Sequence, residues 1–539
     1  MSGHTPLFRK LTRGLRQASW LNANPQHQNA FFEARQASRV SRRDFLRVIG
    51  AAGLLTAAGD FAPHIARGAA TGNKPAPGSD PVAILGAGVA GLTAAYRLKQ
   101  AGVPCEIFEA STRTGGRIFT KYDFNSEGMF CELGGELVDS NHRDLITLAH
   151  ELGLEIQELK GVDHGHDLYF FGNKCYADEQ LIPAFQPFAR RLAADIVVIF
   201  DEKGAPTSAG REFDRMSLAE YLADRGKDTD KWVTSLLEVA YVTEYGRELA
   251  DQSALNLITY LNPDTSGGFK LFGESDESKR IKGGNSMLPN ALTKALGDTV
   301  QIHKGYRLEN MRERGNKLEL DFATDSGTQS RRFSRVICAL PFTMLRQVDG
   351  LKNLHLSHAK QQAIASLGYG TNSKVMSGFA ERWWRDAGLR LPAPSNGSVF
   401  TDLGFQCTWE TSRGQKGRSG ILTNFLGGIP ARRLSDQDYA RFKSDLNRVF
   451  PGIDRKFDDK RAVMNWPKHP FVRASYTCPL VGQFTTLLGA AATPELGGRL
   501  IFAGEHTSPD FSGFMNGAVE SGNRAAREIL EPAESKKAA

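Results

Sequence analysis

Residues 82–117 read VAILGAGVAGLTAAYRLKQAGVPCEIFEASTRTGGR. An unbroken apolar run, VAIL, meets a glycine-rich turn, and LTAAYRLKQ then repeats its apolar residues at helical spacing. A second strand, CEIFEA, closes the unit and ends beside an acid. Three glycines have separate tasks in such a unit. Gly86 permits the tight turn, Gly88 lets a pyrophosphate approach the backbone, and Gly91 lets helix and strand pack closely. The phosphate rests on the helix N-terminus, where unpaired N–H groups and the helix dipole meet negative charge. Glu109, eighteen residues beyond Gly91, is placed to accept ribose hydroxyls. A glycine motif alone is weak evidence. Strand, helix and acid together make this a dinucleotide-binding unit.

Which dinucleotide follows from the flanking segments. Gly115-Gly116-Arg117 comes directly after the acidic strand, and Glu132-Leu133-Gly134-Gly135 adds backbone that can lie close under a flat ring. Arg117 can neutralise the pyrophosphate. Near the other end, Gly504-Glu505 terminates a strand ahead of a helix, so its amides face an anionic ribityl-phosphate chain. The nucleotide signals thus fall in three separated stretches, 82–153, 281–341 and 497–530.

With these motifs the sequence resembles the flavin amine oxidase family, which includes monoamine, polyamine and L-amino-acid oxidases. The resemblance covers nearly all of the chain after about residue 80 and is strongest in the first and last segments. It implies FAD rather than NAD. The expected fold is α/β with an inserted α+β lobe: a Rossmann-like FAD-binding domain built from discontinuous segments, plus a mixed substrate-binding lobe. The division read from the sequence is a leader over 1–70 and a linker over 71–80. FAD-binding segments follow over 81–160, 276–345 and 456–530, substrate-binding segments over 161–275 and 346–455, and a tail over 531–539.

The resemblance also assigns roles. Lys374, in LGYGTNSKVMSGFAERWW, matches the lysine that holds a water at flavin N5 in these enzymes. Family members carry a segment like W-S-G-Y-M-E-G-A, which here reads Phe511-Ser512-Gly513-Phe514-Met515-Asn516-Gly517-Ala518. Phe514 therefore takes one wall of an aromatic cage, and Tyr476 in RASYTCP takes the other. Phenylalanine for tyrosine removes a hydroxyl and keeps a π face that can steer an amine. Ser475 stands where monoamine oxidases carry the cysteine bonded to FAD, so the resemblance implies noncovalent flavin. The cofactor set is Gly86, Gly88, Gly91, Glu109, Gly116, Arg117, Gly134, Gly135, Glu136, Leu308, Gly504, Glu505 and Met515. Leu308 falls where a valine meets adenine, Gly283-Gly284 resembles the middle family motif, and Trp466 matches a tryptophan near the flavin. No metal is required.

The resemblance implies oxidative deamination. The α-carbon gives a hydride equivalent to N5, the imine hydrolyses, and dioxygen becomes hydrogen peroxide; the protein's part is to position, desolvate and exclude water. The substrate read from the sequence is a primary amine or polyamine, with an L-amino acid as the alternative. An amino acid needs a cation for its carboxylate, yet the place after the Gly-Gly turn holds Leu137, and Arg247 is the alternative. Asp139, Glu136, Glu244, Glu274 and Asp276 are acids that suit a cationic amine, although charge runs such as GESDESKR are commonly solvated loops. A related FAD desaturase or dehydrogenase, or a silent FAD-binding protein, remains the reading from another class.

The formal charge of +7 does not signal a nucleic-acid partner. Residues 1–70 carry ten Lys/Arg and three Asp/Glu, so the excess sits in the leader. There Ser41-Arg42-Arg43-Asp44-Phe45-Leu46 precedes the apolar run Val48–Ala58, which resembles a twin-arginine export signal. That run is shorter than the roughly 20 residues of a membrane span. The expectation is a periplasmic or secreted protein, exported folded with its cofactor. Its partners are a small amine or amino acid, dioxygen, the export machinery and, as an option, a second copy of the chain. The six cysteines form no CxxC pattern. Cys105 and Cys338 read as small buried hydrophobes, and no disulfide is named by spacing.

Overall fold

The computed structural model describes residues 80–531 except 163, 164 and 203. The twin-arginine stretch and the linker as far as residue 79 lie outside the described residues, as does the tail after Glu531. The elements below belong to one compact unit, Pro75–Asp201 and Pro206–Ala539.

A five-stranded sheet runs in the order Leu500–Phe502, Val336–Cys338, Val82–Leu85, Cys105–Glu109 and Gln301–Lys304, every pair parallel. Its register lines up Ile501, Ile337, Ile84, Ile107 and Ile302 in one row. The helices Val89–Gln100, Met287–Leu296 and Met515–Leu530 cover that row. The opposite face, with Leu85, Phe108, Cys338 and Phe502, packs on a three-stranded antiparallel sheet. That sheet consists of Arg307–Arg314, Lys317–Thr324 and Gly327–Phe333. Burial on both faces is why these strands read as continuous apolar runs rather than alternating ones. Gly522 lets the last helix press onto the first, since a Cβ there would lie 2.5 Å from the Ala90 carbonyl oxygen. The fold is α/β, and three distant pieces of sequence build its parallel sheet.

A second sheet has seven strands in the order Phe457–Asn465, Ser373–Phe379, Gly420–Leu426, Cys407–Glu410, Ser395–Thr401, His166–Phe171 and Lys174–Tyr176. Helices Asp178–Ile196, Leu218–Arg225 and Lys231–Tyr245 form a cluster with Tyr169 and Phe171 of this sheet. One element departs from the sequence division. Strand Phe457–Asn465, placed with the nucleotide segments, pairs with Ser373–Phe379 instead. The substrate-binding stretch 161–275 contributes the hairpin His166–Phe171 and Lys174–Tyr176, whose first strand runs parallel to Ser395–Thr401. Pairing across more than two hundred residues leaves no local pattern to read. All six cysteines are free, with Cys105 and Cys338 buried. Among the described residues no helix is long and apolar enough to cross a membrane.

Candidate functional site

The phosphate end is built from backbone. Gly86 leaves its strand at φ 101°, a conformation that favours glycine. A Cβ on Gly91 would lie 2.1 Å from the Gly86 carbonyl oxygen, so the turn folds directly onto the helix. A Cβ on Gly88 would meet nothing within 4 Å, which leaves open space over the turn. Helix Val89–Gln100 starts there without a side-chain cap and without an acid in its first turn. Its first amides therefore remain available to an anion. Glu109 holds the adjacent strand end, accepting from the Ala87 amide at 2.7 Å and the Ser111 amide at 2.8 Å. Two such bonds leave further lone pairs for ribose hydroxyls. Tyr306 donates its amide to the Glu109 carbonyl, which brings Leu308 close to the same strand end. These residues fit a dinucleotide.

Arg117 spans the middle of the cradle. Its Nη1 donates to Glu505 Oε1 at 2.7 Å and to the Ser475 carbonyl at 2.8 Å. Burial pushes the Glu505 carboxyl upward, yet Arg117 and the Gly513 amide together bring it below the usual carboxylate range. Gly116 packs against the first turn, with a Cβ position 3.2 Å from Gly88 Cα. Gly504 adopts φ 120° ahead of Glu505. Gly134 and Gly135 give a surface without side chains: a Cβ would lie 1.8 Å from the Arg117 carbonyl at Gly134 and 2.7 Å from Met515 Cγ at Gly135. Met515 opens a helix that again has no side-chain cap. Trp466 donates its indole N–H to the Leu133 carbonyl. The Gly283-Gly284 turn leads into Asn285, which clamps this segment. Its backbone N–H reaches Glu132 Oε1, and its side-chain amide reaches the Gly135 and Glu136 carbonyls. Asn285 was missed in the sequence, although the glycine pair before it marked the place.

The wall opposite is one face of the seven-stranded sheet. Register aligns Met464, Lys374, Phe425, Cys407, Phe400 and Tyr169 in a single row. Directly opposed residues point to the same face, so Lys374 shares its side with Phe425 and Cys407. Trp409 follows Cys407 by two residues on that face and stacks edge-on with Phe425 at 5.3 Å. The Lys374 ammonium donates to the Glu132 carbonyl, the Gly134 carbonyl and Glu136 Oε2, at 3.1, 2.9 and 2.8 Å. Glu136, expected beside the cofactor or as an attractor of cationic substrate, is committed to Lys374 and to the Thr411 hydroxyl.

Tyr476 and Phe514 sit on neighbouring segments, with a Cβ on Gly513 falling 3.6 Å from the Tyr476 ring. The Tyr476 hydroxyl donates to the Glu244 carbonyl. Helix Lys231–Tyr245 ends at Gly246 in the left-handed region, which places Glu244 in its last turn. The Phe514 ring packs edge-on against His142 at 5.2 Å. His142 Nδ1 accepts from the Asp139 amide, and its Nε2 lies 3.2 Å from Asp139 Oδ2. Asp139 also accepts from the Ser275 hydroxyl and the Glu277 amide. Glu277 has φ 44°, unusual for a residue with a side chain. Its side chain is exposed. Desolvation by the surrounding protein, with Asp139 and Glu244 nearby, pushes Glu277 up to about 8; burial and Asp139 push Glu244 up to about 7.

The remaining sequence candidates are placed elsewhere. Arg247 donates Nε to the Tyr369 carbonyl and lies 3.9 Å from Asp251. Asp276 accepts from the Ser140 amide, and Glu274 is exposed. Ser475 donates its hydroxyl to Asn372 Oδ1 at 2.6 Å. Within GESDESKR, then, Glu274, Asp276 and Glu277 are exposed, while Ser278 is buried.

Comparison with known proteins agrees with this geometry. Residues 89–530 match the family model described as flavin containing amine oxidoreductase. The flavin-containing amine oxidase of Oncorhynchus mykiss is 24% identical over 471 residues, covering 83% of this chain and 85% of that protein. The flavin-dependent L-tryptophan oxidase RebO of Lentzea aerocolonigenes is 26% identical over 498 residues, covering 84% and 98%. In fold, cyclohexylamine oxidase from Brevibacterium oxydans IH-35A superposes with a TM-score of 0.71 at 21% identity, over 85% of this chain and all of that one. A backbone cradle for a dinucleotide, closed by a sheet face bearing a buried lysine, thus occurs in a sequence matched by one family model over most of its length. The chain belongs to the flavin-containing amine oxidoreductase family and is an oxidoreductase acting on amines.

Proposed function

We propose that the chain deaminates a primary amine or polyamine oxidatively, using noncovalent FAD and dioxygen and releasing an aldehyde, ammonia and hydrogen peroxide. The observation that carries this reading is the placement of acids behind both aromatic residues. Tyr476 bonds to the residue that bears the Glu244 carboxylate, and Phe514 packs through His142 onto Asp139, which holds Glu277. Such a lining favours a cationic ligand. Gly86, Gly88, Gly91, Gly116, Arg117, Gly504 and the uncapped helix at Met515 would hold the diphosphate and ribityl chain. Glu109 would hold a ribose and Leu308 the adenine, while Gly134 and Gly135 would lie under the ring. When bound, the flavin supplies a two-electron acceptor that dioxygen restores. Tyr476 and Phe514 orient the amine, and the Lys374 ammonium, whose three protons are taken by Glu132, Gly134 and Glu136, contributes a fixed positive charge on this wall rather than a donor for water. Exclusion of water keeps the reacting amine unprotonated.

Anaerobic mixing with primary amines, polyamines and L-amino acids tests the substrate class. Amines are expected to bleach the flavin; bleaching by amino acids alone would replace this reading with the second one. That second reading, an L-amino-acid oxidase, draws on Arg413, whose buried Nε has no hydrogen-bond partner among the described residues. Arg413 also lowers the Glu277 carboxyl electrostatically. A protein that binds FAD and is bleached by neither class would be a desaturase or a silent binder.

Two outcomes follow from the site. Because Ser475 offers no thiol, acid precipitation should release all yellow colour into the supernatant; colour in the pellet would contradict noncovalent binding. Glu244 and Glu277, raised to about 7 and about 8, are neutral at low pH and gain charge as pH rises through those values. The KM for a diamine should therefore fall about tenfold between pH 6 and 8, and Glu277→Gln should flatten that fall. A wild-type KM independent of pH would remove these acids from recognition.

The twin-arginine stretch supports export of the folded holoenzyme to the periplasm or medium. Fractionation of cells expressing the Arg42→Lys/Arg43→Lys variant, which should retain the protein in the cytoplasm, tests it.

A further inference from the structure

We infer that Glu136 is a positioning residue for Lys374, supplying its counter-charge and fixing the orientation of its ammonium. The inference deepens the role given to Lys374 above and rests on that reading.

The geometry is saturated. An ammonium has three protons, and those of Lys374 meet three acceptors: two carbonyls of the Glu132–Gly134 segment and the Glu136 carboxylate. The ion pair is closed to solvent, with side-chain exposures of 5% and 4%. The second Glu136 oxygen is occupied by the Thr411 hydroxyl, which stops the carboxylate from rotating away. Trp409 covers the pair, its ring centre 5.3 Å from the ammonium. Burial would raise the Glu136 carboxyl, but Lys374 and Thr411 hold it below its usual range.

Lys360 offers a comparison, a buried lysine without a carboxylate in contact among the described residues. It bonds the Ala491 carbonyl and lies over the Phe502 ring. Burial lowers it to about 7. Lys374 is nearly as deeply buried, so Glu136→Gln would leave its ammonium without a counter-charge, which favours loss of the proton.

The other ionisable groups facing the pair are Glu132, Cys131 and Arg280. Glu132 spends its carboxylate on the Asn285 amide and the Thr120 hydroxyl, and burial pushes it up to about 7. The Cys131 thiol is pushed up to about 12. Arg280 is tied to Gln157 and to the Thr411 and Arg413 carbonyls. None of them replaces Glu136 as a contact for the ammonium.

The experiment compares wild type, Glu136→Gln and Glu136→Asp. Turnover of a saturating amine substrate is followed from pH 6 to 10. Glu136→Gln should acquire a new alkaline limb, falling about tenfold per pH unit above pH 7, and Glu136→Asp should shift that limb back upward. A second readout needs no flavin: the thermal unfolding midpoint of the apoprotein against pH. In Glu136→Gln the native state would bind fewer protons than the unfolded chain between about pH 7 and 10. Its midpoint should therefore climb with pH through that window relative to wild type. Glu136→Gln profiles that track wild type in both measurements would overturn the inference. A climbing apoprotein midpoint with no flavin-dependent turnover in any variant would instead uphold the pairing and count against the proposed oxidase.

Discussion

Gly91→Ala should yield a protein that purifies with less than a tenth of the wild-type flavin and unfolds at lower temperature even as apoprotein. The added Cβ would lie 2.1 Å from the Gly86 carbonyl oxygen and 3.2 Å from Ile84 Cγ2. Neither neighbour is a flexible side-chain end, so the helix itself must move. Overpacking of this kind costs roughly 1–3 kcal/mol, and the shift falls at the amides that would hold the diphosphate. Gly88→Ala separates the two effects. A Cβ there meets no protein atom within 4 Å, so apoprotein stability should match wild type while FAD affinity drops. Fluorescence titration of both apoproteins with FAD, beside their melting curves, checks the pair. A Gly88→Ala protein that bound FAD as tightly as wild type would move the diphosphate away from this turn.

Lys374→Met should reduce turnover about a hundredfold, the scale of removing one preorganised group at a reaction centre, while FAD remains bound. It should also destabilise the fold, because Glu136 is left in the interior without its partner. Breaking a buried pair in this way costs about 3–5 kcal/mol. The double variant Lys374→Met/Glu136→Gln removes both charges and should recover much of the stability without recovering turnover. Melting curves and single-turnover kinetics on the single and double variants distinguish the roles. If turnover returned together with stability, Lys374 would be a structural residue alone.

The nucleotide half was legible because its requirements are local. A tight turn needs glycine at Gly86, close packing needs glycine at Gly91, and an acid at the next strand end is fixed by the length of one βαβ unit. The structure sets Glu109 against the Ala87 amide in that manner. The isoleucine row across the parallel sheet was less legible. Each strand shows its own apolar run, but direct neighbours come from residues as distant as Ile84 and Ile337.

The substrate side was only partly legible. Lys374, Tyr476 and Phe514 came from resemblance, and the acids were noted without knowing which face inward. Glu277 stands between Asp276, which caps a turn, and Ser278, which is buried. A left-handed backbone angle at Glu277 sets where the chain turns, and no periodicity announces such an angle. Trp409 and Phe425 are ordinary strand residues until register places them beside Lys374.

By itself the sequence determined the glycine turns of the first strand–helix unit and the α/β class, since turn sterics and apolar runs act over a few residues. Only the tertiary structure decided the partners of the buried charges. Glu136 and Lys374 lie 238 residues apart, and whether an acid attracts substrate or neutralises a lysine depends on which strands pair. Desolvation makes that decision costly to leave unmade, so the fold settles it in three dimensions.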